Sequence, residues 1–446
     1  MEYMRTILSR SVVPDAESVE KLSIFQEPLN DGYGDMHEII ERLHRYGSPA
    51  TVAQTGGRYF GFVNGGIIPA SLAAKWLTDV WDQNTALYVM SPVVSVLEGV
   101  CEKWLAELFG FPSDTAAGFV AGSSSAMLCG LAAGRNRLLE QAGYDAGEKG
   151  LFGAPEIRVV LGEGAHSSVY KSLSILGLGS GRVTRVPQDE QGRIRTDAVP
   201  ALDDRTLLIL QAGNVNTGSF DHFDELCLKA RDAGAWVHID GAFGLWAAAS
   251  EKLKCLTKGI EHAHSWSLDA HKSLNAPYDC GIIMCSDRAA LANALHMTGS
   301  YLVFSEQRDN MLYTIDMSRR ARAVELWASL KSLGKRGVAE LMEDLHDKAV
   351  YFAKELSGNG FVIHNDVVFN QVIVSPQDPS ITEQTLQNIQ NSGVCWCGGS
   401  KWENKPVIRI SVCSYRTTYQ DIDLSVKAFV EAKKLAESTA GSVIPK

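Results

Sequence analysis

Lys272 carries the most specific chemistry in this chain. It follows Ser265-Trp-Ser-Leu268, which reads as a short strand, and precedes Gly281-Ile-Ile-Met-Cys285, an apolar run short enough for a buried strand. A lysine set between two core strands is unfavourable to bury unless it is paired or chemically used. Desolvation favours the neutral amine, and a neutral lysine amine attacks a carbonyl to form a Schiff base. The ordinary alternative is a surface lysine in a loop, and the other polar residues of the chain decide between the two.

Those residues fall at element ends. Gly118-Phe-Val-Ala-Gly-Ser-Ser-Ser-Ala126 is an apolar run that meets a glycine, three serines and then a helical stretch over 126–133. A helix start offers unpaired N–H groups and a partial positive charge, which suits a phosphate. One N-cap needs one serine, so three exceed what capping requires. From residue 156 strand-like runs (157–161, 182–186, 206–211, 235–239, 265–268 and 281–285) alternate with helical stretches, notably 167–176 and 223–232. That alternation predicts a mainly parallel sheet covered by helices, with ligands at the carboxyl ends of its strands. His166, Asn214 with Asn216, Asp240 and Lys272 each follow one of these runs. A phosphate site, a carboxylate and a Schiff-base lysine at one sheet edge point to pyridoxal phosphate, whose pyridine nitrogen takes a carboxylate partner. Asp240 is the candidate for that partner. His166 is flat enough to stack on the ring, or else caps the helix that follows it.

With these motifs in order, the chain resembles the pyridoxal-phosphate-dependent group II amino-acid decarboxylases, the aromatic-amino-acid and glutamate decarboxylase superfamily. The resemblance rests on Gly122-Ser-Ser-Ser-Ala126, Ala165-His-Ser-Ser168, Gly213-Asn-Val-Asn-Thr-Gly-Ser-Phe-Asp221, His238-Ile-Asp-Gly-Ala242 and Asp269-Ala-His-Lys-Ser-Leu-Asn275, and runs from about residue 50 to about 430. It implies the aspartate-aminotransferase-like fold type I, with a large α/β domain and a small α+β C-terminal domain. It implies that Lys272 forms the Schiff base with the cofactor and that Asp240 pairs with the pyridine nitrogen. Ala242 would pack on one ring face, and His166 on the other while orienting the substrate carboxylate. Ser124 and Ser125, with His271 and Asp269, would hold the phosphate, and Asn214 would lie beside the cofactor. Family members are homodimers with active sites at the interface, and the same is expected here.

Two departures stand out. The family's long mobile loop, contributed across the dimer and carrying a catalytic tyrosine, is matched by a shorter segment over 298–317 in which Tyr313 is the counterpart. Residues 82–90 do not reproduce the aromatic pocket of the aromatic-amino-acid enzymes. The expected reaction is decarboxylation of an L-amino acid to the amine and carbon dioxide. The alternatives are an aldehyde-lyase of the sphingosine-phosphate type, an aminotransferase, and a non-catalytic cofactor-binding homologue.

Composition sets the remaining bounds. The apolar fraction of 45% and charged fraction of 21% are those of an ordinary globular protein. A net charge of −10 without a basic run excludes nucleic acid as an expected partner, and no apolar stretch has the length of a membrane span. Nine scattered cysteines, an odd number, fit reduced thiols in a cytoplasmic protein, and Cys395-Trp-Cys397 has no partner pair for a metal. The expected organisation is an N-terminal helical segment (1–57), a large cofactor-binding domain (58–317) and a small C-terminal domain (318–446). Arg58-Tyr-Phe-Gly-Phe-Val-Asn-Gly-Gly66 is a turn or a pocket rim, and Arg409 is expected as a solvated edge charge.

Overall fold

The computed structural model describes residues 2–296, 302, 304 and 306–441. The chain forms two compact units: Ile67–Ala349 with Asn365–Gln371, and Met1–Gly66 with Val350–His364 and Val372–Lys446. The large unit therefore extends past 318 to Ala349. The physical reason is a set of ion pairs that tie Arg319 to Glu98, and Arg320 and Arg322 to Asp279, all within the large unit.

Seven strands build the large sheet: β1 (Ala116–Val120), β2 (Arg158–Gly162), β3 (Thr184–Val186), β4 (Thr206–Gln211), β5 (Trp236–Asp240), β6 (Ser265–Asp269) and β7 (Gly281–Cys285). Their order is β1-β7-β6-β5-β4-β2-β3. β2 to β6 pair in parallel, whereas β7 runs antiparallel to both β6 and β1. Every residue of β1, β5, β6 and β7 is buried, as expected for strands covered on both faces; β1 and β7 run apolar, whereas β6 alternates polar and apolar residues and buries both sets. Six strands match the sequence pattern to within two residues at each end. β1 is hard to read because Ala116-Ala-Gly118 are small and carry little strand signal.

The helix Ser123–Gln141 covers the middle of this sheet. It lies unusually close, because a Cβ at Gly130 would meet the His238 ring at 2.7 Å and one at Gly134 would meet the Trp236 indole at 2.7 Å. At its start, Gly122 backs onto Gly281, where an added Cβ would stand 2.3 Å from the Gly122 Cα. Backbone therefore packs on backbone where the helix begins beside β7.

The small unit has a four-stranded sheet, β8 (Phe361–Ile363), β9 (Gln371–Pro376), β10 (Gly398–Trp402) and β11 (Lys405–Ser411), ordered β10-β11-β9-β8, with helices Thr382–Ser392 and Tyr419–Gly441. Arg409 is not a solvated edge charge: β11 is an inner strand, and burial pushes the guanidinium below its ordinary range. Tyr59 stacks on Trp396 at 5.1 Å and Phe62 at 5.4 Å, so the 58–66 stretch forms an aromatic cradle within this unit.

Candidate active site

Two neighbouring parallel strands end in carboxylates. Asp240 is the last residue of β5 and Asp269 the last of β6, and both are buried. Asp240 Oδ1 accepts the Ala242 N–H at 3.2 Å. Burial raises the Asp240 carboxyl above its ordinary range, while Lys272 and His166 pull it back down. Lys272 and His166 thus both act on Asp240, which stands at the carboxyl edge where α/β sheets bind ligands.

Asp269 organises the rest. Its Oδ1 accepts the Ser123 N–H at 2.6 Å, and its Oδ2 lies 3.3 Å from Lys272 Nζ and 3.7 Å from His271 Nε2. It joins the lysine to the start of the helix Ser123–Gln141. The chain after β6 is held tightly: Ala270 N–H donates to the Cys280 carbonyl at 2.9 Å and Asn275 N–H to the Lys272 carbonyl at 3.0 Å. Lys272 keeps 20% of its side chain accessible, so the amine is anchored yet reachable.

His271 Nδ1 accepts the Cys280 N–H at 3.1 Å, and its ring lies 4.2 Å from Tyr278, centroid to centroid. Burial lowers its pKa despite the opposing charge of Asp269. His166 caps the helix Ser167–Ile175: its Nδ1 accepts the Ser168 N–H at 3.3 Å and lies 2.8 Å from Ser168 Oγ. With Nδ1 accepting, the neutral ring carries its proton on Nε2. Ser124 and Ser125 occupy the first turn of the helix Ser123–Gln141. Ala242 follows Asp240 by two residues and is held to it through its backbone N–H.

Three residues stand differently from expectation. Asp269 cannot hold a phosphate, because it presents acceptor oxygens, already turned to protein donors, and offers an anion no hydrogen. The Asn214 amide ties its own loop to an earlier turn: Oδ1 accepts the Asn216 N–H at 2.9 Å, and Nδ2 donates to the Gly192 carbonyl at 3.4 Å. Tyr313 is not brought to the cluster. Its hydroxyl accepts from Arg288 Nη1 at 3.0 Å, and the Arg308 guanidinium lies 4.4 Å from its ring centroid. Arg288 follows the end of β7 that pairs with the start of β6, about 13 Å of strand from Asp269. Residues 297–301, 303 and 305 of the expected loop lie outside the described residues.

The sequence reading missed Asp279. Its carboxylate accepts from Arg320 Nε at 2.9 Å and Arg322 Nη2 at 3.2 Å, and pins the turn that carries Lys272. Burial opposes ionisation there, but the two arginines hold the carboxyl below its ordinary range. The available signal was the arginine cluster at 319–322, which needs acidic partners. Among the described residues no three His, Cys, Asp or Glu are placed to hold a metal ion, and no helix is long and apolar enough to cross a membrane.

The donor set fits pyridoxal phosphate: a lysine amine, a buried carboxylate and a serine-rich helix start converge on one sheet edge. The pyridoxal-dependent decarboxylase conserved domain matches residues 25–375. The aromatic-L-amino-acid decarboxylase of Bacillus atrophaeus is 24% identical, over 99% of this chain and 94% of its own. The acidic amino acid decarboxylase GADL1 of Mus musculus is 27% identical, over 86% and 73%. The crystal structure of mouse CSAD has the same fold, with a TM-score of 0.88 at 21% identity, over 97% of this chain and 95% of that one. These matches do not favour Cα–Cβ lysis or a non-catalytic homologue. The chain belongs to the pyridoxal-dependent decarboxylase family, whose members are carboxy-lyases that use pyridoxal phosphate.

Proposed function

We propose that this protein removes the α-carboxylate of an L-amino acid as carbon dioxide and releases the amine, with Lys272, Asp240 and His166 at the centre of the reaction. The observation that carries this reading is Lys272, ion-paired at 3.3 Å to Asp269 at the end of β6, next to the strand β5 that ends in the buried Asp240. Pyridoxal phosphate, when bound, supplies an aldehyde for an amine to condense with and a ring that accepts the electron pair of a bond broken at Cα.

Lys272 would hold the cofactor through its amine, in reach of the substrate amine. Asp240, buried at the end of β5, would pair with the cofactor's ring nitrogen and favour its protonated form. Ser124 and Ser125, with the helix start, bind the phosphate, and Ala242 leaves room for a flat ring. His166 would present Nε2–H to the substrate carboxylate and orient it. Asn214 shapes the loop beside the ring. Tyr313 anchors its segment to the core and takes no part in proton transfer.

We further propose a cytoplasmic homodimer with its active sites at the interface. Support comes from the outward apolar side chains of the helix Pro69–Trp81, where Trp76, Leu77, Val80 and Trp81 are all exposed, and from nine cysteines without a disulfide. Light scattering on the purified protein reads the dimer directly.

The test of the reaction is a panel of L-amino acids with aromatic, acidic and basic side chains, assayed for carbon dioxide and amine in equal amounts. A stoichiometric keto acid would identify a transaminase instead. Aldehyde without carbon dioxide would identify Cα–Cβ lysis.

A further inference from the structure

Asp269 has a role that phosphate binding does not explain. It is 1% exposed, and each oxygen faces a donor: Oδ1 the Ser123 N–H at 2.6 Å, and Oδ2 both Lys272 Nζ at 3.3 Å and His271 Nε2 at 3.7 Å. The Cys280 N–H, donated to His271 Nδ1 at 3.1 Å, places the proton of the neutral imidazole on Nε2. Burial keeps that ring neutral, so Lys272 is the cation that faces Asp269 Oδ2 among the described residues.

The other charges around Lys272 are differently placed. Asp240 ends β5 and pairs in register with Ser267, two residues before Asp269 on β6, so it sits one pleat deeper. His166 comes from the turn after β2 and acts on Asp240. Asp279, in the turn before β7, is engaged by Arg320 and Arg322, and the neighbouring Cys280 thiol is pushed well up by burial. The helix Ser123–Gln141 contributes a backbone N–H and no side-chain charge at this point.

We propose that Asp269 is the counter-ion of Lys272, keeping Nζ protonated across neutral pH while it is condensed with the cofactor aldehyde. This rests on reading Lys272 as the Schiff-base lysine. An N–H⁺ on that nitrogen makes the attached carbon a better target for the substrate amine, and Asp269 holds it without leaving the Ser123 N–H. Asp269 is thus a positioning residue with an electrostatic task.

The test titrates the visible absorbance of the pyridoxal-phosphate-loaded protein, because the protonated form is yellow and the neutral form absorbs in the near ultraviolet. Asp269→Asn keeps an acceptor for Ser123 and removes the charge. Its spectral midpoint is expected about 1–3 pH units below that of the parent, the usual effect of an opposite charge at this range. A midpoint within about 0.3 units of the parent overturns the proposal, since pure loss of structure would not leave the chromophore intact. Should the variant hold no cofactor, the parent decides. A parent that stays yellow across neutral pH supports the counter-ion, and one that bleaches at or below neutral pH overturns it. Borohydride fixation followed by peptide mapping tests the underlying reading separately. An adduct on another lysine removes both, whereas an adduct on Lys272 with an unmoved midpoint removes the counter-ion alone.

Discussion

Two buried charge clusters sit on the same sheet. One gathers Lys272, Asp240, Asp269, His271 and His166 at the carboxyl ends of β5 and β6. The other gathers Glu98, Glu102, Arg288, Arg308 and Arg319 around Tyr313 and β1. In both, burial pushes a carboxyl up, Asp240 in the first and Glu98 in the second, and nearby cations oppose it. The difference lies in the cations. Arginine does not give up its proton at any working pH and bonds carboxylates through a rigid fork, so the second cluster is a clasp. Lysine and histidine exchange protons, so the first can do chemistry. Burial and perturbed acidity alone do not mark a reactive site. The ability of the partners to give up a proton does.

Four substitutions test that contrast. Lys272→Ala is expected to lower turnover by about a thousandfold or more, because it removes the amine that acts on Asp240 and pairs with Asp269. It should also remove the borohydride-fixed cofactor from that peptide. Residual turnover near the parental level would dissolve the distinction between the clusters. Arg319→Met leaves Glu98, which is 0% exposed, with the longer Arg308 contact at 3.7 Å, and should destabilise folding by about 3 kcal/mol in denaturant titration while the folded fraction keeps its turnover. Lost turnover in a stably folded variant would make the clasp part of the site. Asp240→Asn should lower turnover by about 10²–10³ with the fold intact, since a neutral amide cannot pair with a ring cation. Tyr313→Phe is the mildest: losing one hydrogen bond to Arg288 should destabilise by about 1 kcal/mol and leave amine formation near parental. Loss of amine formation, with aldehyde and peroxide appearing in air, would restore Tyr313 as the proton donor.

The sequence was most legible where one residue ends one strand. Asp240, Lys272 and the serines after Gly122 could be placed because a strand or helix boundary locates them without knowledge of the fold. The direction of β7 was not legible, since a strand carries no local mark of parallel or antiparallel pairing, and the turn between Asp269 and Gly281 had to be seen. The clasp was hidden for a related reason. Glu98 and Glu102 are spaced by one helical turn on Pro92–Phe109, but their partners come from positions 288, 308 and 319. Asp269 shows a third limit. Its place after a strand and three residues before Lys272 was readable, but its two oxygens could be assigned to Ser123 and Lys272 only from geometry.

The glycines of the helix Ser123–Gln141 set a clearance. Gly130 lies seven residues, about 10 Å, beyond Ser123 and is seated against His238. An alanine at that position would have to wedge the helix off the sheet, and the pivot would swing its first turn, with Ser123, Ser124 and Ser125, relative to the fixed ends of β5 and β6. The distance between the serine-bearing helix start and the Asp240 carboxylate is thus gauged partly by a missing side chain two turns away. Cofactor affinity can drift through a position that touches no cofactor atom, and a Gly130→Ala protein that loads poorly while its strand-end residues are all intact would show that gauge at work.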